Sequence, residues 1–232
     1  MQINQVLHYA LANFVGRHPL LFRAHYRFHP RFSNLIVRPD SEVVIEGFPR
    51  SANTFAVLAF EHAQLRPVRI AHHLHVDAQI TLGVKFNLPI LVLIREPIGA
   101  VASLISRNPG VGTGQALAHY MSFYKSVQAN MNKVVLADFK TVTGDYARVI
   151  EALNARFRTS FHPYMNTPAN DKAVFDVIDL INRKYERGEI HQLARPSEAK
   201  SSLLRAARLK VEAHSMTDKA KACFSMLSSH CV

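Results

Sequence analysis

Short continuous runs of aliphatic and β-branched residues recur along the chain, and segments with apolar residues at helical spacing separate them. Val43-Val44-Ile45 ends at Gly47 and has the pattern of a buried parallel strand. Val68 to Ala71, Pro89 to Ile94 and Lys133 to Ala137 supply three more candidate strands, of which PILVLI is the clearest. Helices are predicted over Thr54 to Gln64, Val76 to Val84, Pro97 to about Arg107, Gln115 to Met131 and Tyr146 to Phe157. Pro97 suits the first turn of its helix. Pro109 to Gly114 (PGVGTG) reads as a flexible loop. Asp171 to Arg187, Glu198 to His214 and Thr217 to Ser228 are predicted helical. Strands alternating with helices predict an α/β fold, a parallel sheet with helices on both faces. In such sheets ligands bind beyond the carboxyl ends of the strands. That directs attention to Gly47 to Thr54, Ala71 to His75, Arg95 to Ser103 and Asp138 to Thr143.

The length of 232 residues suits one domain, with a helical part at 1–40, an α/β core at 41–160 and a helical part at 161–232. Near the N-terminus, Val6, Leu7, Leu11 and Phe14 recur at helical spacing. That helix is expected to pack on the domain, with a membrane surface as the alternative. No apolar run approaches the ~20 residues of a spanning helix. No secretory leader pattern is present. The two cysteines, Cys223 and Cys231, form no C-x-x-C pair. A reducing cytoplasm is the expected compartment. Oligomeric state is not legible.

Charge narrows the partners. There are 28 Lys and Arg against 17 Asp and Glu, a net charge of +11, which favours anionic ligands. The basic residues are scattered and no nucleic-acid motif appears, so nucleic acid is not expected. The 13 histidines include no H-E-x-x-H or similar spacing, so no metal is expected.

Gly47-Phe48-Pro49-Arg50-Ser51-Ala52-Asn53-Thr54 follows a strand and opens a helix, the context in which backbone amides bind an oxyanion. Against the pattern G-x-x-x-x-G-K-[ST], Gly47 and Thr54 match, while Ala52 and Asn53 replace the second glycine and the lysine. The cation has moved to Arg50. The strand LPILVLI ends in Arg95, where a nucleotidase usually needs an acid for magnesium. Glu96 is the nearest acid, and its neighbour Pro97 assigns it to a helix start.

These residues resemble the PAPS-dependent sulfotransferase family, PAPS being 3′-phosphoadenosine 5′-phosphosulfate. Its first signature, similar to G-x-P-[RK]-S-[GA]-[TN]-[TS], is matched by Gly47 to Thr54, followed by Phe55. Its second, an arginine after a strand, then proline, then serine eight residues beyond the arginine, is matched by Arg95, Pro97 and Ser103 in REPIGAVAS. About forty residues separate the two, as in the family. The resemblance implies a P-loop-like sulfotransferase fold and transfer of a sulfuryl group to an acceptor hydroxyl or amine, with no metal. Arg50, Ser51, Ala52, Asn53 and Thr54 would hold the 5′-phosphosulfate, with Phe55 beside the adenosine. Arg95 and Ser103 would grip the 3′-phosphate, arginine suiting a phosphate through its planar fork.

Members usually carry a catalytic histidine at the end of the next strand, where Ile70-Ala71-His72-His73-Leu74-His75 stands here. The register favours His73 as base, with His72 and His75 as competitors, and Ala71 replaces the family's lysine. From Lys133 to Phe157, a strand-loop-helix reading places Phe139-Lys140-Thr141 in the loop where the family has an acidic segment, and the family's C-terminal G-x-x-G-x-x-K is absent. Arg195 or Lys200 would serve in its place, unless Ser197 simply caps a helix there. Three other readings stay open: a divergent P-loop kinase, a non-catalytic binder of PAPS or its product nucleotide, and a basic polyanion-binding module. The acceptor so implied is a small molecule, a carbohydrate or another substrate.

Overall fold

A computed structural model describes residues 11, 14–30, 32–185 and 198–232. Val6, Leu7, Arg195 and the side chain of Lys200 lie outside the described residues. Strands β1 (Val43–Gly47), β2 (Ile70–His72), β3 (Ile90–Ile94) and β4 (Val135–Asp138) form one parallel sheet in the order β2-β1-β3-β4. Every residue of β1 and β3 is buried. That is why β3 and the Val43-Val44-Ile45 part of β1 read as continuous apolar runs rather than alternating ones.

Helices cover both faces. Val44, Ile90, Val92, Ile94 and Leu136 point into one core. That core is shared with α1 (Pro19–Tyr26), α3 (Asp77–Lys85), α4 (Pro97–Arg107), α5 (Thr113–Gln128), α9 (Glu198–Glu212) and α10 (Thr217–Ser228). The alternate residues Val43, Ile45, Leu91, Leu93 and Val135 point into a second core. It lies under α2 (Asn53–Ala63), α6 (Phe139–Gly144), α7 (Tyr146–Phe157) and α8 (Pro168–Tyr185). The chain end runs along the open edge of β4, where the Val232 amide donates to Leu136 O at 3.1 Å. An otherwise unpaired edge is covered there.

Some element boundaries depart from the sequence pattern for local reasons. The strand expected from Val68 begins at Ile70, because the Glu42 carboxylate takes the Arg69 amide at 3.0 Å ahead of the ladder. The segment Asp138 to Thr143, expected as loop, contains helix α6, because the Asp138 carboxylate caps it by accepting from the Thr141 amide at 2.8 Å. Helix α5 starts at Thr113, inside the expected PGVGTG loop.

The chain leaves β1 toward β2 on one side and leaves β3 toward β4 on the other. The crevice between the carboxyl ends of β1 and β3 is therefore the topological switch point, where open α/β sheets bind ligands. Gly47 ends β1 at this crevice. A Cβ there would stand 2.6 Å from Leu93 O, so only glycine lets the two strand ends close on each other.

Candidate functional site

The loop from Gly47 to Thr54 turns sharply into α2. Arg50 (φ 71°) and Ala52 (φ 70°) both adopt the left-handed region. Such conformations cost non-glycine residues free energy and gather at functional sites. Ala52 is the N-cap of α2 and no side chain caps the helix, so its first amides stay available to an anion. Inside the turn, Asn53 Nδ2 donates to Phe48 O at 3.0 Å, and Phe48 packs on Tyr120 and His119. Ser51 is fully buried beside the Tyr124 hydroxyl. Asn53 Oδ1 is a buried atom with no hydrogen-bond partner among the described residues. Phe55 is buried in the second core against Tyr146, Tyr164 and Phe175.

Arg50, Arg95 and Ser103 come together over the crevice. Arg50 Nε donates to Ser103 Oγ at 3.0 Å, and Arg95 Nη1 donates to the Arg50 carbonyl at 2.7 Å. The Arg95 guanidinium also lies 4.1 Å from the centre of the Phe139 ring, a cation–π contact that fixes its plane. Glu96 accepts from the Ile98 and Gly99 amides, both at 2.8 Å, and so caps α4 as the sequence suggests. Tyr120 and Tyr124 of α5 donate to the Arg95 and Leu93 carbonyls at 2.7 and 2.9 Å, holding the end of β3.

No carboxylate pairs with Arg50 among the described residues. Burial, then the charges of Arg107 and Arg95, push the Arg50 guanidinium down to about 10. Burial and then Arg208 lower Arg95, while Glu96 opposes them. Arg107 and Arg208 were not singled out in the sequence. Arg107 ends α4, and Arg208 stands on α9, which lies along α4; neither proximity leaves a local sequence signal.

The histidine segment does not continue as a strand. β2 ends at His72, and His73 (φ 60°) and His75 (φ 56°) turn left-handed. The alternation expected of an extended segment, with His72 and His73 on opposite faces, therefore fails. Their rings meet instead, Nδ1 to Nδ1 at 2.5 Å, so one nitrogen donates and the other accepts. His73 Nε2 lies 3.1 Å from Thr54 Oγ1, which joins this turn to the phosphate loop. His75 Nδ1 donates to Gly47 O at 2.8 Å, and its ring meets the His73 ring edge-on with centroids 5.9 Å apart.

The turn is held by Glu46, an acid inside the buried run of β1 whose role the apolar pattern hid. Its carboxylate accepts from the amides of Leu74 (2.9 Å) and His75 (3.1 Å) and from Gln79 Nε2 (3.2 Å). Complete burial raises Glu46 to about 7 despite these bonds. Burial and then neighbouring histidine charge lower His72 to about 4 and hold His73 well below the ordinary imidazole value. His75 and the buried His119 fall to about 4 and about 3, chiefly through burial. These imidazoles are neutral at neutral pH.

The structure thus gathers Arg50, Arg95, Ser103, Thr54 and His73 at one crevice. Ser51, Asn53 and Phe55 project into the protein beneath the loop. A separate cleft lies at the amino ends of the strands, lined by Ser41, Glu42, Arg66, Phe157 and His162, far along the sheet from this constellation. Among the described residues, no group of three or more His, Cys, Asp or Glu is placed to hold a metal ion. No described helix is long and apolar enough to cross a membrane. No family model matches the chain, and no curated protein matches it.

The half-buried His72, His73 and His75 and the buried His119 carry a consequence for stability. His72, His73, His75 and His119 stay neutral in the fold but titrate near 6.5 once unfolded. Their contribution is complete above that pH and is lost as pH falls toward about 4. Glu46, at about 7, Asp77, raised to about 6, and Glu61, also raised by burial, act oppositely, since their contribution is lost as pH rises. Four imidazoles outnumber three carboxyls, so the urea midpoint should fall as pH is lowered from 6.5 to about 5. A midpoint constant or rising over that window would contradict the neutral, buried assignment.

Proposed function

We propose that the protein transfers a sulfuryl group from PAPS to an acceptor hydroxyl or amine, on a P-loop-like sulfotransferase fold. The observation that carries this reading is Arg50, without a carboxylate partner among the described residues, held against Arg95 and Ser103 at the switch point of the sheet. Cations so placed suit a ligand with several anionic groups, and the uncapped start of α2 supplies amides to one of them. The residues present fit the nucleotide at its two charged ends. Arg50, Thr54 and the loop amides would hold the 5′-phosphosulfate; Arg95 and Ser103, with Arg107 and Arg208 adding charge, the 3′-phosphate. Ser51 would contribute through its backbone, since its side chain is buried. Phe55, in the core, would support the loop from below rather than stack on the adenine.

In the transfer, the acceptor oxygen or nitrogen forms a bond to sulfur as the bond from sulfur to the 5′-phosphate oxygen breaks. The nucleotide leaves with that electron pair. The acceptor proton goes to His73 Nε2. This requires the tautomer in which His73 Nδ1 donates to His72 Nδ1, leaving the Nε2 lone pair at the Thr54 side. Lowered proton affinity keeps the base unprotonated before reaction. The charge of a bound phosphosulfate would raise that affinity. Arg50 would stabilise charge developing on the departing oxygen.

Binding tests the nucleotide assignment without an acceptor. In calorimetry, 3′-phosphoadenosine 5′-phosphate should bind much more tightly than 5′-AMP, with no Mg²⁺ added. Arg95→Ala should remove most of that preference, about tenfold or more, the worth of a charge-assisted contact. Equal affinity for the two nucleotides would sink the assignment.

Chemistry is tested separately, with radiolabelled PAPS and an acceptor found by screening. His73→Ala should lower turnover by ~10²–10⁴-fold while nucleotide affinity stays near wild type. His75→Ala should do less, because its ring is committed to Gly47 O. If His73→Ala keeps full turnover, the base lies elsewhere.

A further inference from the structure

Away from the crevice, the N-terminal segment carries a surface that the sulfotransferase reading does not use. Helix α1 buries Phe22 and Tyr26 against the body, and Gly16 ahead of it lies against Val76. Its opposite side is also apolar. Leu20 is 82% exposed, Leu21 47% and Phe28 80%. Arg27 keeps helical dihedrals (φ −56°, ψ −38°), so the helical path runs on to Phe28. At a rotation of about 100° per residue, Leu20, Ala24 and Phe28 form one stripe opposite Phe22 and Tyr26. Phe14, 54% exposed, extends the apolar surface toward the N-terminus.

Positive charge flanks this stripe. Arg17, Arg23 and Arg27 are exposed, and Arg27 stands over the Phe28 ring at 5.5 Å. The first 39 residues contain five arginines and four histidines, and the first acid in the chain is Asp40. A second copy meeting this face symmetrically would set arginine against arginine. A nucleic acid would take the arginines but leave Leu20 and Phe28 in water. An anionic lipid surface accommodates both, phosphates taking the guanidinium groups and the acyl boundary taking the apolar stripe.

We propose that this face docks the protein on an anionic phospholipid bilayer. Leu20, Leu21 and Phe28 enter the headgroup–acyl boundary, and Arg17, Arg23 and Arg27 lie against lipid phosphates. The inference stands on the exposed residues alone and does not depend on the reaction assigned to the crevice.

The test is co-sedimentation of the full chain with vesicles of phosphatidylcholine, with and without about one-third phosphatidylserine. Partitioning into the anionic vesicles should be about tenfold or more above the neutral ones and should weaken as salt is added. Leu20→Ser with Phe28→Ser should lower it by about tenfold or more, as expected on withdrawing large apolar side chains from the acyl boundary. Arg23→Gln and Arg27→Gln should each lower it about fivefold. All four side chains are exposed, so the variants should melt with the wild type. Equal partitioning into both vesicle types, no partitioning into either, or wild-type partitioning by a folded Leu20→Ser, Phe28→Ser variant would overturn the proposal. So would a dimer that covers this face and leaves the protein in the supernatant.

Discussion

An arginine held between two parallel strand ends, with no carboxylate partner among the described residues, is the constraint on which the carboxyl edge of this sheet depends. Arg50 is kept over the crevice by Ser103 from α4, while Arg95 reaches back to the Arg50 carbonyl. Burial, and then the nearby charge of Arg107 and Arg95, work against it. The supporting groups are all directed at keeping this arrangement in place. Tyr120 and Tyr124 hold the end of β3, Glu96 is absorbed in capping α4, and Phe139 fixes the plane of Arg95. A site that keeps cations together at some cost to the fold is suited to a ligand with more than one anionic group.

Backbone strain follows the same geography. Of the six described non-glycine residues with positive φ, four (Arg50, Ala52, His73 and His75) lie in the two turns that follow β1 and β2. Strained turns persist only when their surroundings over-determine them. Here Asn53 braces the first turn through Phe48 O, and Glu46 gathers the amides of the second. The two turns meet at Thr54 and His73. Glu46 thus couples the end of β1 to the histidine turn, and its burial next to neutral imidazoles links the integrity of the site to pH.

What the sequence made legible was whatever depends on short-range periodicity. β3 and α4 stand almost where the PILVLI run and Pro97 place them, because a buried parallel strand and a proline-started helix have local signatures. The phosphate-loop context was legible for the same reason, as a glycine-led turn between a strand and a helix. Long-range and capping effects were not. Asp138 turned an expected loop into α6, and Glu42 delayed β2. Phe55, matched by resemblance to a ligand-facing position, follows the helical periodicity of α2 into the core. Glu46 was hidden within an apolar run, and Arg107 and Arg208 reach the site through packing that no local pattern encodes. The His72–His73 contact needed a positive φ that an unremarkable His-His dipeptide does not announce.

The central claim is that the crevice is built for an anion and strained without one. Thermal melting of the wild type and Arg50→Met in a low-salt buffer free of phosphate and sulfate tests it most directly, with and without 3′-phosphoadenosine 5′-phosphate. Without nucleotide, the variant should melt above the wild type, because the methionine keeps the apolar stem and removes the charge that Arg95 and Arg107 repel. With nucleotide at about a hundred times its dissociation constant, the wild type should gain roughly 2.7 kcal/mol and the variant far less. A ligand-free variant that melts below the wild type, or a wild type that the nucleotide leaves unmoved, would contradict the account.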